Sequence, residues 1–259
     1  MKVVILAGGL GSRISEESQF RPKPMIEIGG HPILWHIMKY YSAYGFDDFV
    51  ICAGYKQDYI KEFFADYYLH SSDITFDFTK GSNEMIVHGT KAEPWRVTVA
   101  DTGLDTQTAG RVRRIRQYVG DEPFMLTYGD GVSDVNLNAL LDFHKKAGKT
   151  VTLTGVNIAQ RFGVLDIDAN GTVSAFREKN DADGSAVNGG FMVVQPEVFE
   201  QPLLDGEDFS KATLEALAAS GELAAYRHTG FWQPMDTQRD KFLLEDIWSS
   251  GKAPWKIWD

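Results

Sequence analysis

The apolar positions of this chain fall into short continuous runs separated by stretches of helical periodicity. Runs of this kind suit strands buried on both faces, and the periodic stretches suit amphipathic helices. Lys2-Val3-Val4-Ile5-Leu6-Ala7 is the first run, Phe49 to Ala53 the second and Pro123 to Tyr128 a third, with shorter strands expected at Met25 to Ile28, Ile74 to Phe78 and Val97 to Ala100. Ile33, Leu34, Ile37, Met38 and Tyr41 recur about every 3.6 residues behind Pro32, which suits a first helical turn, and Gly45 ends that helix. Further helices are expected over Gln57 to Tyr68, Thr106 to Gly120 and Leu137 to Ala147, the last capped by Asn136 or Asp134. Lys80 to Pro94 breaks the rhythm and reads as an irregular or hairpin insertion. Alternating strands and helices imply a parallel, doubly wound sheet.

Beyond about residue 150 the rhythm changes. Val151 to Val156, Gly163 to Asp168, Thr172 to Phe176, Phe191 to Val194 and Leu223 to Arg227 read as strands, with Asn170-Gly171 as a hairpin turn. Helices are expected only at Phe209 to Ser220 and Thr237 to Ser250. No repeat, low-complexity tract or linker interrupts the chain, so one domain over 1–259 is expected, with an α/β half over about 1–150 and a smaller, antiparallel-strand-containing half over about 151–259 that completes the same site.

Composition narrows the class. Apolar residues at 43% and charged residues at 24% are ordinary for a globular chain, and a net charge of −10 argues against nucleic-acid or membrane partners, which want a basic footprint. The single cysteine, Cys52, excludes an internal disulfide and a thiolate-rich zinc site, and its apolar neighbours mark it as a buried structural thiol. No stretch approaches the ~20 apolar residues of a membrane span. The chain opens directly into a strand without a signal peptide, so a cytoplasmic location is expected.

Against that acidic background, Leu6 to Lys23 stands out. The first strand runs into Gly8, Gly9 and Gly11, where the backbone can turn its N–H groups onto an anion, and Arg13, Arg21 and Lys23 follow. The dinucleotide fingerprint fails, because its third glycine is missing and the second strand ends in Cys52-Ala53-Gly54 without an acidic ribose ligand. The triphosphate-loop ending Gly-Lys-Ser/Thr is absent as well. Arg13 and Lys23 instead suit displacement at a nucleotide α-phosphate, where positioning and positive charge do most of the work. Pro22 and Pro24 hold the backbone around Lys23.

Asp130, between Gly129 and Gly131, ends a buried strand and so reaches the carboxyl edge of the sheet. Asp236 is either a second carboxylate for Mg²⁺ or the cap of the helix beginning near Thr237. Arg111, in the segment from Thr106, either faces phosphate or base or belongs with Arg113, Arg114 and Arg116 on a solvated helix face. Asn188, beside Gly189 and Gly190, suits hydrogen bonding to sugar hydroxyls, whereas Glu178-Lys179 is weak evidence by itself. The histidines form no metal-spaced set. Trp248, Trp255 and Trp258 read as packing or subunit-contact aromatics.

Taken together, the segments V-I-L-A-G-G-L-G-S-R, R-P-K-P-M, I-G-G-H-P-I-L-W-H-I-M, E-P-W-R-V-T, L-T-Y-G-D-G-V-S-D, N-G-G-F and F-W-Q-P-M-D-T resemble the sugar-1-phosphate nucleotidyltransferases, in particular their cytidylyl branch. The resemblance implies a Rossmann-like mixed sheet and a Mg²⁺-dependent reaction of CTP with glucose 1-phosphate, giving CDP-glucose for dideoxyhexose and O-antigen synthesis. It also implies a homo-oligomer, a hexamer, with the 80–94 insertion and the aromatic tail as contact surfaces. By the family's roles, Leu6, Ala7, Gly8, Gly9, Gly11, Ser12, Arg13, Lys23, Thr106, Arg111, Gly129 and Asp130 hold the nucleotide. Arg13 and Lys23 act on the reacting phosphates, and Asp130 and Asp236 hold Mg²⁺. Gly163, Glu178, Lys179, Asn188 and Gly189 line the sugar-phosphate pocket. Ala109 and Asn180 depart from the pattern without removing a catalytic group. Transfer from UTP or dTTP, and a non-catalytic nucleotide-sugar sensor, stay open as alternatives.

Overall fold

The structure is a computed structural model that describes residues 1–79, 81, 84–157, 164–167, 173–177 and 186–258. Within them, eight strands form one mixed, mostly parallel sheet. Val3–Ala7 lies at its centre, parallel to Asp48–Ala53 on one side and to Phe124–Tyr128 on the other, and Arg96–Asp101 continues the parallel set beyond Asp48–Ala53. On the other flank the direction reverses. Met192–Val194 runs antiparallel to Phe124–Tyr128, and Val151–Val156 runs antiparallel to Met192–Val194 and Val187–Asn188 and parallel to Leu223–His228. The Rossmann-like mixed sheet flanked by helices is as expected.

Alternation along each central strand explains why these runs are apolar throughout. Val3, Ile5, Phe49 and Ile51 face a cluster built on the helix Ile33–Ser42, whereas Val4, Leu6, Val50 and Cys52 face one built on Thr108–Arg114 and Phe209–Ala219. Both faces are dry, so polar alternation has no place. Cys52 is fully buried, and burial pushes its thiol up to about 12. The parallel register puts Ala7, Ala53, Asp101 and Tyr128 near one edge, and the loops leaving them open on the same side.

Several elements differ in detail from the sequence reading. Lys23–Met25 forms a single 3₁₀ turn begun by a proline, leaving only Glu27–Ile28 as strand. The expected helix over 106–120 breaks into Thr108–Arg114 and Arg116–Val119 at Ile115 (φ −91°, ψ 0°), and Val112, Ile115 and Val119 all stay buried. Phe209–Leu214 is a π-helical turn leading into the α-helix Glu215–Ala219. The insertion is a hairpin of Ser72–Asp77 with Glu84–Thr90. Asn136, not Asp134, caps Leu137–Ala147, its side chain accepting from the Ala139 N–H. Val164–Ile167 and Val173–Arg177 pair antiparallel, while the Asn170-Gly171 turn lies outside the described residues. Among the described residues no helix is long and apolar enough to cross a membrane.

Within the aromatic tail, Trp255 takes the packing reading. Trp255 is 1% exposed and packs inside its own chain, stacked with Phe231 and Trp248 and edge-on to His36. It is a plug for the core, not a contact surface. His36 is fully buried beneath it. Its Nε2–H donates to the Ile28 carbonyl at 2.8 Å, which leaves Nδ1 to accept from the Trp255 indole N–H at 3.4 Å. Burial drives the His36 imidazole down to about 4 from an ordinary value of 6.5.

That shift carries a sign. The unfolded chain takes up a proton at His36 before the folded one does, so the stability His36 contributes is complete above about pH 6.5 and is lost as pH falls from there toward 4. Thermal unfolding between pH 6.5 and 4 is therefore expected to fall more steeply for the wild-type chain than for His36→Gln, which cannot titrate; equal slopes would show that His36 is not the acid-sensitive group.

Candidate active site

At the carboxyl edge of the parallel strands lies a cleft of about 410 Å³. One wall is the loop from Leu6 to Arg13, the floor is Tyr128-Gly129-Asp130, and the far wall is Leu104 to Thr108 with Arg111. All twelve residues expected at the nucleotide line it: Leu6, Ala7, Gly8, Gly9, Gly11, Ser12, Arg13, Lys23, Thr106, Arg111, Gly129 and Asp130. The glycines are there for separate reasons. Gly11 has φ +66°, in the left-handed region. A Cβ on Gly8 would sit 2.1 Å from Nη1 of Arg111. Gly9 has open space above it, so a ligand can approach the backbone there.

Four charged side chains converge beside this loop. The Lys23 ammonium donates to Asp130 Oδ2 and Asp236 Oδ1, both at 2.7 Å, and Arg13 Nη1 donates to Asp236 Oδ2 at 2.8 Å. Lys23 is only 8% exposed, whereas Arg13 reaches into solvent. The two carboxylates meet because a short antiparallel ribbon, Gly131–Ser133 with Trp232–Pro234, starts at Asp130 and ends just before Asp236; the Met235 N–H closes it onto the Asp130 carbonyl at 2.7 Å. The choice left open for Asp236 is resolved by its neighbours. Thr237 caps Gln238–Ser249 in a reciprocal box with Asp240, so the Asp236 carboxylate stays free to meet Lys23 and Arg13.

Arg111 lines the cleft, but its guanidinium is engaged by the protein. It is 4% exposed, and its terminal nitrogens donate to the carbonyls of Gly8 (2.9 Å), Gly103 (2.8 Å), Ala53 (3.3 Å) and Leu104 (3.4 Å) and to Thr102 Oγ1 (2.7 Å). In this arrangement it ties the two walls of the cleft together. Five acceptors around a buried guanidinium offset the cost of removing it from water. Arg113 and Arg114 do lie at the surface, both on Asp205 at 2.6 Å.

Asn188, expected at the sugar phosphate, lies within 3.4 Å of both the Tyr128 hydroxyl and Ser210 Oγ, which are 2.8 Å apart. The Gly189 carbonyl accepts from the Trp232 indole N–H at 2.8 Å, so the carboxylate ribbon also braces the Asn188 loop. Tyr128 and Ser210 were not singled out from the sequence. Tyr128 carried a signal, since it ends the strand directly before Gly129-Asp130; Ser210 carried none. Gly163, Glu178 and Lys179 lie outside the described residues.

Residues 2–242 match the nucleotidyl transferase family. This chain belongs to that family. It is 54% identical over the full length of both chains to the glucose-1-phosphate cytidylyltransferase of Salmonella typhi, and 43% identical, again over both full lengths, to the probable glucose-1-phosphate cytidylyltransferase of Bacillus subtilis. In fold it is similar to HddC of Yersinia pseudotuberculosis (TM-score 0.69, 22% identity, 95% of this chain and 99% of that one) and to an apo UDP-glucose pyrophosphorylase (TM-score 0.67, 14% identity, 97% and 98%).

The contact between Gly8 and Arg111 can be tested directly. Gly8→Ala forces the guanidinium off the Gly8 carbonyl and is expected to cost about 1–3 kcal/mol in urea unfolding, together with weakened nucleotide binding by calorimetry; unchanged stability and affinity would show that the loop does not depend on this approach.

Proposed function

We propose that this chain transfers a cytidylyl group from CTP to α-D-glucose 1-phosphate, giving CDP-glucose and pyrophosphate. The observation that carries this reading is the convergence of Lys23, Arg13, Asp130 and Asp236 beside a glycine loop, in a chain 54% identical throughout to a glucose-1-phosphate cytidylyltransferase. A phosphate oxygen of the sugar phosphate attacks the α-phosphorus in line; the new O–P bond forms as the bond to the β-phosphate oxygen breaks, and pyrophosphate leaves. That oxygen is already ionised at neutral pH, so no general base is needed. Cations at the α-phosphate and at the departing pyrophosphate supply most of the stabilisation.

The donor set fits a divalent cation, proposed as Mg²⁺. Two hard carboxylates aim at one point, marked by the Lys23 ammonium 2.7 Å from each, and Mg²⁺ takes one or two carboxylates and completes its shell with phosphate oxygens and water. Asp130 and Asp236 would hold it, and when bound it would neutralise phosphate charge. Lys23 and Arg13 exchange partners on nucleotide binding, leaving the carboxylates for the phosphates. Asn188 and Gly189, with Glu178, Lys179 and Gly163, take the sugar phosphate. We further propose a cytoplasmic homo-oligomer, a hexamer. The hairpin supports self-association, since Phe76 and Phe78 are 55% and 67% exposed on one ribbon face with Met85.

Pyrophosphate release assayed with each nucleoside triphosphate in turn is expected to be fastest with CTP; a preference for UTP would overturn the cytidylyl reading, and no release with any would favour a sensor. Lys23→Ala is expected to lower turnover by about 10²–10³ while raising the affinity of the nucleotide-free protein for Mn²⁺, because the ammonium no longer competes for the carboxylates. Near-normal turnover in the folded variant would remove Lys23 from the mechanism.

A further inference from the structure

The ribbon that brings Asp130 and Asp236 together is short and stands outside the main sheet, with three residues in each strand. A two-stranded ribbon of this length has little stability of its own. Its end toward the cleft carries the two carboxylates and is closed by the single bond from the Met235 N–H to the Asp130 carbonyl. Its other end is fastened. The Asp134 N–H and the Ser133 hydroxyl both donate to the Phe231 carbonyl, at 3.1 and 2.7 Å. His228 Nε2 donates to the same Phe231 carbonyl at 3.2 Å and stands 3.0 Å from Asp134 Oδ1, a buried oxygen that accepts no hydrogen bond of its own.

The imidazole belongs to the main sheet. His228 is the last residue of Leu223–His228 and is in register with Val156 of the adjoining strand. The contacts of His228 with Phe231 and Asp134 therefore tie the far end of the ribbon to the main sheet, in addition to the core packing of Val132 and Met235 and the Trp232 bond to Gly189. Gly230 makes room for the two His228 contacts, since a Cβ there would lie 2.4 Å from Asp134 Oδ1 and 2.7 Å from the His228 ring. Neither residue reaches the cleft lining, and neither joins the ion cluster around Lys23.

We propose that Asp134 and His228 are positioning residues that fix the spacing of the Asp130 and Asp236 carboxylates, and so set the affinity of the site for its divalent cation. Rotation of the ribbon about its fastened end moves both carboxylates together, whereas loosening that end lets them separate. A cation needing both oxygens at fixed bond lengths feels the second motion most. Groups that orient metal ligands from behind typically contribute about 10–100-fold in metal affinity. This inference rests on the reading of Asp130 and Asp236 as cation ligands.

The test compares His228→Ala, Asp134→Ala and Gly230→Ala with the wild-type chain and with Asp130→Asn. Two quantities are read: Mn²⁺ binding at saturating CTP, from loss of the free-ion EPR signal relative to CTP alone, and the Mg²⁺ concentration giving half-maximal pyrophosphate release. Each clasp variant is expected to weaken Mn²⁺ binding and raise the Mg²⁺ requirement about tenfold, with turnover recovering at high Mg²⁺ and KM for the sugar phosphate unchanged. Asp134→Asn keeps a side-chain oxygen of the same size beside the imidazole and is expected to stay near wild type. Should the alanine variants at 134 or 228 fail to fold, Gly230→Ala, which removes neither partner, still decides. If folded variants lose thermal stability without any change in metal dependence, the clasp is merely structural and the proposal fails. If Asp130→Asn itself leaves Mn²⁺ binding intact, it is the reading of the metal ligands that fails instead.

Discussion

The ammonium of Lys23 is where three remote parts of the chain are made to agree. Asp130 lies 107 residues away and Asp236 lies 213 away, yet both reach it at 2.7 Å. A cluster of two carboxylates in a partly buried cleft would repel itself without that cation, and a lysine so little exposed would be costly to leave unpaired. Each group makes the others tolerable. In the proposed function the cluster is also chemically unfinished, because its cations are those a triphosphate would recruit. The resting site is a set of charges waiting for a better arrangement.

Arg111 solves a different problem. The glycine loop and the segment 101–105 leave strands on either side of Asp48–Ala53. A single buried guanidinium collects carbonyls from both, and from the end of Asp48–Ala53 as well. Lysine has no planar fork and could not span them. The cleft therefore has walls held by one buried cation and a mouth served by two others, and the three are not interchangeable.

Much of this was legible in the sequence, and for reasons that can be named. Gly8, Gly9, Gly11, Lys23 and Asp130 sit beside glycines, prolines and apolar strands, so local chemistry announces them. Asp236 was ambiguous because a helix start also calls for an acidic residue; the ambiguity vanished once Thr237 and Asp240 were seen to satisfy that start between themselves. The pairing of Gly131–Ser133 with Trp232–Pro234 was invisible, since three residues are too few to show a period of two and the partners are a hundred residues apart. Burial of Arg111 was invisible too. Its sequence neighbours, Arg113 and Arg114, carry the same charge and face solvent, and only the turn of the helix separates their fates.

The placement of Trp255 and Asp236 has a consequence for how the protein comes to exist. The core packed around His36 is closed by Trp255, and the partner set of Lys23 is completed by Asp236. During synthesis the central strands and the glycine loop emerge well before Asp236 and Trp255, so neither the second carboxylate nor the plug can join them until those residues have left the ribosome. Contacts of such long sequence separation are slow to form. The nascent chain therefore carries an unsealed apolar face and an incomplete charge cluster until the segment from Asp236 to Trp255 has emerged.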